Sequence, residues 1–190
     1  MDSNAMTTAP KVVNGINVDD LFSLIESVRQ DPAKGVTRWH VATTWQGQTR
    51  SRSQVEGFGI GDEEVKRSFA IDVDEPSELG GSNRFANPQE YLIAALNTCM
   101  TVGYAAQCAV HGIALESLVI ETEGEIDLRG FLGIDPTVPK GYESLRYKVR
   151  IKGNGTNEQF AEIHAAVMAT SPNFYNISRP VALEPMLIIE

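Results

Sequence analysis

Residues 87–111, NPQEYLIAALNTCMTVGYAAQCAVH, constrain the fold of this chain more than any other stretch. Asn87 can cap a helix, Pro88 fits the first helical position, where its missing N–H costs nothing, and Gly112 stands ready to end the helix after His111. The interval spans roughly 35 Å at about 1.5 Å per residue. Ala, Leu, Ile, Val, Tyr and Met occupy nearly every face of its middle, so it is expected to be buried on more than one side, a central element wrapped by sheet or by a second subunit. Asn97, Thr98, Thr101 and Gln107 interrupt the apolar run and argue against a membrane span.

Around this helix the pattern is mixed. From Asn17, NVDDLFSLIESVRQDPAKG places Leu21, Phe22, Leu24, Ile25 and Val28 at helical spacing behind an Asn cap, and Pro32 and Gly35 end it. It reads as an extension packed on the main domain. Residues 36–60 are rich in β-formers and break at Gln46-Gly47, which predicts a hairpin, and 65–74 predict a third strand with Phe69, Ile71 and Val73 alternating. The loop EPSELGGSNRFANP leads into the long helix. Beyond it, Glu121, Glu123, Glu125 and Asp127 share one face of a strand, and Arg146, Lys148, Arg150 and Lys152 share one face of another. Laid antiparallel, they oppose an acidic row to a basic row on a solvated sheet face, each pair contributing ~0.2–1 kcal/mol. No His joins the acids, so a metal site is not indicated. The Pro/Gly-rich stretch 129–143 predicts a loop or arm that buries interface area or lids a site. Residues 157–170 predict a helix, SPNFYNISRP a capped turn, and VALEPMLIIE a closing strand. The expected domains are a tag scar ("SNAM") and disordered N-terminus over 1–14, a helical extension over 15–35 and a main domain over 36–190.

Composition removes several function classes. The chain has 190 residues and a formal net charge of −9, which disfavours a nucleic-acid partner. Two cysteines and three scattered histidines make neither a disulfide framework nor a zinc set and point to a reducing compartment. With no secretory-signal pattern and no membrane span indicated, the default expectation is cytoplasmic.

Cys99 and Cys108 lie nine residues apart, hence on opposite faces of one helix and roughly 13 Å apart along it, too far for a disulfide between them within a chain. Cys108, among Ala105, Ala106, Ala109 and Val110, reads as a small core hydrophobe. Cys99 has polar neighbours in Asn97, Thr98 and Thr101, and is either a packed core residue or a nucleophile. A reactive thiol requires the thiolate form, and the sequence offers Arg84, Arg50 and Arg52 as cations to favour it.

The order of hairpin with arginines, third strand, EPSELGGSNRFANPQEYLIAALNTCM and Gly-Ile after the helix resembles the OsmC/Ohr superfamily, the osmotically inducible and organic hydroperoxide resistance proteins. The similarity covers about residues 36–190. It implies an α+β, OsmC-like fold with bent antiparallel sheets around long central helices, built as an intertwined homodimer with active sites at the interface. It also implies a thiol-dependent peroxidase, a peroxiredoxin-like oxidoreductase of oxidative stress defence, with no metal or organic cofactor. In that family a helix cysteine is oxidised by the peroxide, a second cysteine resolves it, and a dithiol reductant restores it. Carried over by residue, Cys99 matches the peroxidatic cysteine and Arg50 or Arg52 the arginine that keeps it ionised. The glutamate that orients the arginine falls on Gln89, with Glu90 beside it, and the resolving cysteine falls on Ser171.

The resulting expectation is a one-cysteine thiol peroxidase acting on organic hydroperoxides. Cys99 would be the nucleophile, Arg50 or Arg52 the stabiliser, Gln89 or Glu90 the orienter, and Tyr91, Leu92 and Met100 would line an apolar substrate slot. An external thiol or dithiol would reduce it, with neither nucleic acid nor membrane as partner. The alternative is a dimeric small-ligand-binding protein without peroxidase activity, in which Cys99 is a wall of the cavity. A third reading is thiol transfer on a non-peroxide substrate.

Overall fold

A computed structural model describes residues 11–189. Within it the chain divides into two compact units, one ending at Leu92 and the other beginning at Ile93. The tag scar and disordered terminus expected over 1–14 fall mostly outside the described residues.

The first unit opens with a small antiparallel ladder, β1 (Val12–Val13) and β2 (Ile16–Asn17), in which Val13 faces Ile16. Asn14 and Gly15 turn it at φ 54° and 76°, the paired left-handed backbone that an Asn-Gly hairpin turn needs. Asn17 then caps α1 (Val18–Gln30), its side chain accepting from the N–H groups of Asp19 at 3.1 Å and Asp20 at 3.4 Å. The helix begins where the sequence places it, but Val18 is its only buried residue, and Phe22, Leu24 and Ile25 stay exposed.

The hairpin and third strand form as β3 (Thr37–Trp39), β4 (Ala42–Trp45), β5 (Ser51–Ile60) and β6 (Glu63–Val73). The long β5 takes β3 and β4 along one edge and β6 along the other, all antiparallel. A register shift between Val55 and Gly57 bends the β5–β6 ladder. Glycine is required there, since a Cβ on residue 57 would lie 2.7 Å from the Val65 carbonyl oxygen. Trp39 stacks on Phe58 with ring centroids 4.8 Å apart, and Arg67 lies over both Phe58 and Phe69.

The long helix α2 runs Pro88–Val110, and the division between the units falls inside it. It ends as expected: Gly112 has φ 70°, its N–H donates to the Ala109 carbonyl at 3.0 Å, and the N–H of Ile113 reaches back to Cys108 at 2.8 Å. By length and composition alone it could cross a bilayer. Its buried residues, though, are Leu96, Met100, Tyr104 and Cys108, with Ala109 beside them. Within the single chain that is one stripe at a spacing of four, and Val102 on another face is 68% exposed.

In the second unit this stripe meets α4 (Asn157–Thr170) and the antiparallel pair β7 (Leu115–Gly124) and β8 (Leu145–Gly153). Ile163 and Val167 of α4 complete the core, with Leu118, Ile120, Val149 and Ile151 packed against it from the sheet. The outer sheet face carries the opposed charges: Arg150 to Glu121, Lys152 to Glu116, and Arg146 to Glu123 at 3.1 Å. These pairs are exposed, so they fix register more than they stabilise. No cluster of His, Cys, Asp and Glu able to hold a metal occurs among the described residues.

Three segments depart from expectation. The arm between β7 and β8 contains a short helix, α3 (Leu128–Phe131), capped by Asp127, and folds back so closely that a Cβ on Gly130 would sit 2.2 Å from the Pro139 carbonyl oxygen. Residues 172–178, read as a capped turn, form α5 (Pro172–Ser178), with Ser171 as its cap. The last apolar segment is no strand. Residues 179–189 have no regular structure, and Leu183, Met186, Leu187, Ile188 and Ile189 are exposed, because no neighbouring strand in the described chain accepts their backbone groups.

Candidate functional site

Cys99 lies one position off the buried stripe of α2, so its side chain falls at the edge of the core, partly exposed, whereas Cys108 lies on the stripe and has no exposed surface. Burial pushes the Cys108 thiol up from its ordinary pKa. The two thiols are free.

The group that touches Cys99 comes from the junction of α4 and α5. Ser171 closes α4, its N–H donating to the Val167 carbonyl at 2.9 Å, and caps α5, its Oγ accepting from the N–H of Phe174 at 3.3 Å. The same hydroxyl donates to Cys99 Sγ at 3.4 Å. Two residues on, Asn173 Nδ2 donates to the Ala95 carbonyl at 2.8 Å, so the start of α5 is pinned to the turn of α2 that carries Cys99. On the other side Asn97 ties the helix to β7, donating to the Ile120 carbonyl at 3.3 Å and accepting from Thr122 Oγ1 at 2.6 Å. Thr98 and Thr101, the other polar neighbours, spend their hydroxyls on carbonyls of their own helix.

The arginines of the first unit differ from each other. Arg52 stands opposite Asp72 in the β5–β6 ladder and grips both its carboxylate oxygens, at 2.7 and 2.9 Å. Each stabilises the other's charge, holding Asp72 below the usual carboxylate range and raising Arg52. Arg50 is a turn residue whose Nε is buried with no hydrogen-bond partner among the described residues. Glu90 closes a capping box: its carboxylate accepts from the Asn87 N–H at 2.8 Å, and its own N–H donates to Asn87 Oδ1 at 2.9 Å. Gln89 is exposed. Of the three residues expected to line a slot, Tyr91 donates its hydroxyl to the Asp72 carbonyl at 2.7 Å, Leu92 is 41% exposed, and Met100 is fully buried in the core cluster.

Two arrangements escape the sequence reading. Asp74, fully buried at the end of β6, accepts from Thr49 Oγ1 (2.7 Å), Ser82 Oγ (2.6 Å) and the N–H groups of Glu75, Ser82 and Arg84. These bonds hold its carboxyl far below the usual range and organise the loop that leads into α2. Glycine at 81 belongs to the same turn, since a Cβ there would be 1.8 Å from the Glu75 carbonyl oxygen. An acid ending a strand before a run of Ser, Gly and Asn was the available signal. In the second unit, buried Tyr104 hydrogen-bonds His164 Nδ1 beside a hollow of about 490 Å³ walled by Val149, Ile151 and Phe160.

Comparison with known proteins gives one family and one fold. A family model described as OsmC-like protein matches residues 81–185. No curated protein matches the sequence. Among solved structures, an OsmC-like protein from Mycoplasma pneumoniae superposes with a TM-score of 0.57 at 12% identity, covering 74% of this chain and 87% of that one. An OsmC-like protein of unknown function from Vibrio cholerae O1 biovar eltor gives 0.52 at 14% identity, covering 73% and 92%. The α+β fold with open antiparallel sheets is shared with them.

Proposed function

The chain belongs to the OsmC-like protein family, and on that premise we propose that it is a one-cysteine thiol peroxidase in which Cys99 reduces organic hydroperoxides. The observation that carries the reading is the environment of Cys99: a partly exposed residue at the core's edge, with a buried hydroxyl donating to its sulfur. Cys108, wholly buried, is unsuited to the role.

In the proposed reaction the Cys99 thiolate attacks the terminal peroxide oxygen and the O–O bond breaks. The alkoxide leaves, takes a proton to become the alcohol, and Cys99 is left as sulfenic acid. An external thiol or dithiol returns it. Of the hairpin arginines, Arg50 is proposed as the thiolate stabiliser, supported by the pairing of Arg52 with Asp72. The chain is proposed to act as a homodimer, a second copy covering apolar residues that the single chain leaves exposed, Leu183, Met186 and Leu187 among them.

The test is consumption of cumene hydroperoxide by the full chain with an excess of dithiothreitol, beside Cys99→Ser and Cys108→Ser. Loss of turnover in the first variant alone supports the reading; turnover at the parent rate in Cys99→Ser refutes it. A second reading, a dimeric small-ligand-binding protein without peroxidase activity, is favoured by Gln89 and by the hydroxyl at Ser171 where the family resemblance places a thiol. Slow alkylation of Cys99 together with no peroxide consumption would select it.

A further inference from the structure

Building on the reading of Cys99 as the oxidised residue, we propose that Cys99 is a site of long-lived, reversible S-thiolation by a low-molecular-weight monothiol. The reason is the neighbour that its sulfur has. Ser171 Oγ lies 3.4 Å from Cys99 Sγ, and Ser171 is 5% exposed. It is held there by its bonds to Val167 and Phe174 and by the Asn173 anchor on Ala95. A thiol at this position would start where the hydroxyl stands, 3.4 Å from the Cys99 sulfur, against the roughly 2.05 Å of a disulfide. A hydroxyl forms no such bond and does not expel a thiol from a disulfide, a step that needs a thiolate. Cys108 cannot substitute, being fully buried, on the opposite side of the helix, and disfavoured as a thiolate by that burial.

The chemistry balances with one hydroperoxide and two monothiols. Peroxide converts the thiolate to sulfenic acid and leaves as alcohol. The first monothiol breaks the S–O bond and forms an S–S bond, and the oxygen departs as water with the thiol proton. The second monothiol attacks the mixed disulfide, frees Cys99 and leaves as the symmetrical disulfide. Because the chain supplies no thiolate next to Cys99, this last step is bimolecular. Its rate follows the concentration of external thiol, and the adduct persists when that thiol is scarce. A dithiol would close on itself and leave no adduct, so the inference is specific to monothiols.

The experiment uses the reduced full chain, one equivalent of cumene hydroperoxide, then limiting glutathione, followed by intact mass and peptide mapping over time. Wild type and Ser171→Ala are expected to hold one glutathione on Cys99. Ser171→Cys is expected to lose it, with an internal disulfide to the introduced thiol in its place, and Cys99→Ser to acquire none. A wild type whose sulfenic acid is trapped by dimedone but which returns to free thiol without accumulating the adduct would overturn the inference and leave the peroxidase reading standing. Failure of dimedone to trap Cys99 in any variant would instead overturn the peroxidase reading, and this inference with it. Loading with oxidised glutathione, without peroxide, isolates the part played by Ser171: equal adduct lifetimes in wild type and a folded Ser171→Cys protein would refute it.

Discussion

Gly103 of α2 faces Val167 of α4, and the two energies acting there can be set against each other. A glycine in a helix interior costs about 1 kcal/mol relative to alanine. A Cβ on residue 103 would lie 3.3 Å from both γ-methyls of Val167, which has no exposed surface. Valine has little χ1 freedom in a helix and its neighbours are close-packed, so the crowding is relieved only by shifting α2 against α4, at about 1–3 kcal/mol. Gly103→Ala should therefore be neutral to destabilising, by about 0–2 kcal/mol once the propensity gain is subtracted. In a Val167→Ala background the methyls are gone and the same change should stabilise by about 1 kcal/mol. Urea unfolding of the four proteins measures the cycle, with an expected coupling of about 1–3 kcal/mol. If alanine at 103 has the same effect in both backgrounds, within about 0.3–0.5 kcal/mol, the contact with Val167 is not what fixes glycine there.

Asp74 binds its proton less readily in the folded chain than unfolded, so the stability it contributes is present above the ordinary carboxylate pKa of about 3.9 and is lost as pH falls below it. Asp74→Asn should be destabilised at neutral pH and should lose less stability than wild type between pH values of about 5 and 3, read by acid unfolding followed by circular dichroism. Tyr104 has the opposite sign: burial pushes its phenol up to about 12, so its contribution is intact below an unfolded pKa of about 10 and declines as pH rises from there. Tyr104→Phe should flatten the loss of stability above a pH of about 10, and a variant that loses stability as steeply as wild type would place the alkaline sensitivity elsewhere, with Tyr147 the next group to replace.

Elements whose ends carry their own chemistry were legible in the sequence. The α2 boundaries follow from Asn87, Pro88 and Gly112, and α1 from Asn17, because caps and turn glycines act within a few residues. Burial was less legible. The composition of α2 allows any face to be inward, and only the partners Ile163, Val167 and the β7–β8 sheet select the stripe from Leu96 to Cys108. The closing segment shows the same limit from the other side. VALEPMLIIE has the composition of a strand, yet a strand exists only where a ladder accepts its N–H and C=O groups, and the described chain provides none.

The candidate site divides along similar lines. The nine residues between Cys99 and Cys108 turn the helix half a revolution and set the two on opposite faces, but that Cys108 is the one in the core is decided by the partners Ile163 and Val167, which select its stripe. That Arg52 is paired depends on strand register, since nothing in the sequence says that Asp72, twenty residues on, stands opposite it. The serine at 171 could be aligned with a family cysteine by its following proline. Its consequence depends on distance, because a hydroxyl far from Cys99 would be a mere substitution, whereas one in contact with the sulfur decides what the oxidised residue can do next. On the proposed reading, a chain with a thiol there would close on itself, whereas this one would wait for a thiol from solution.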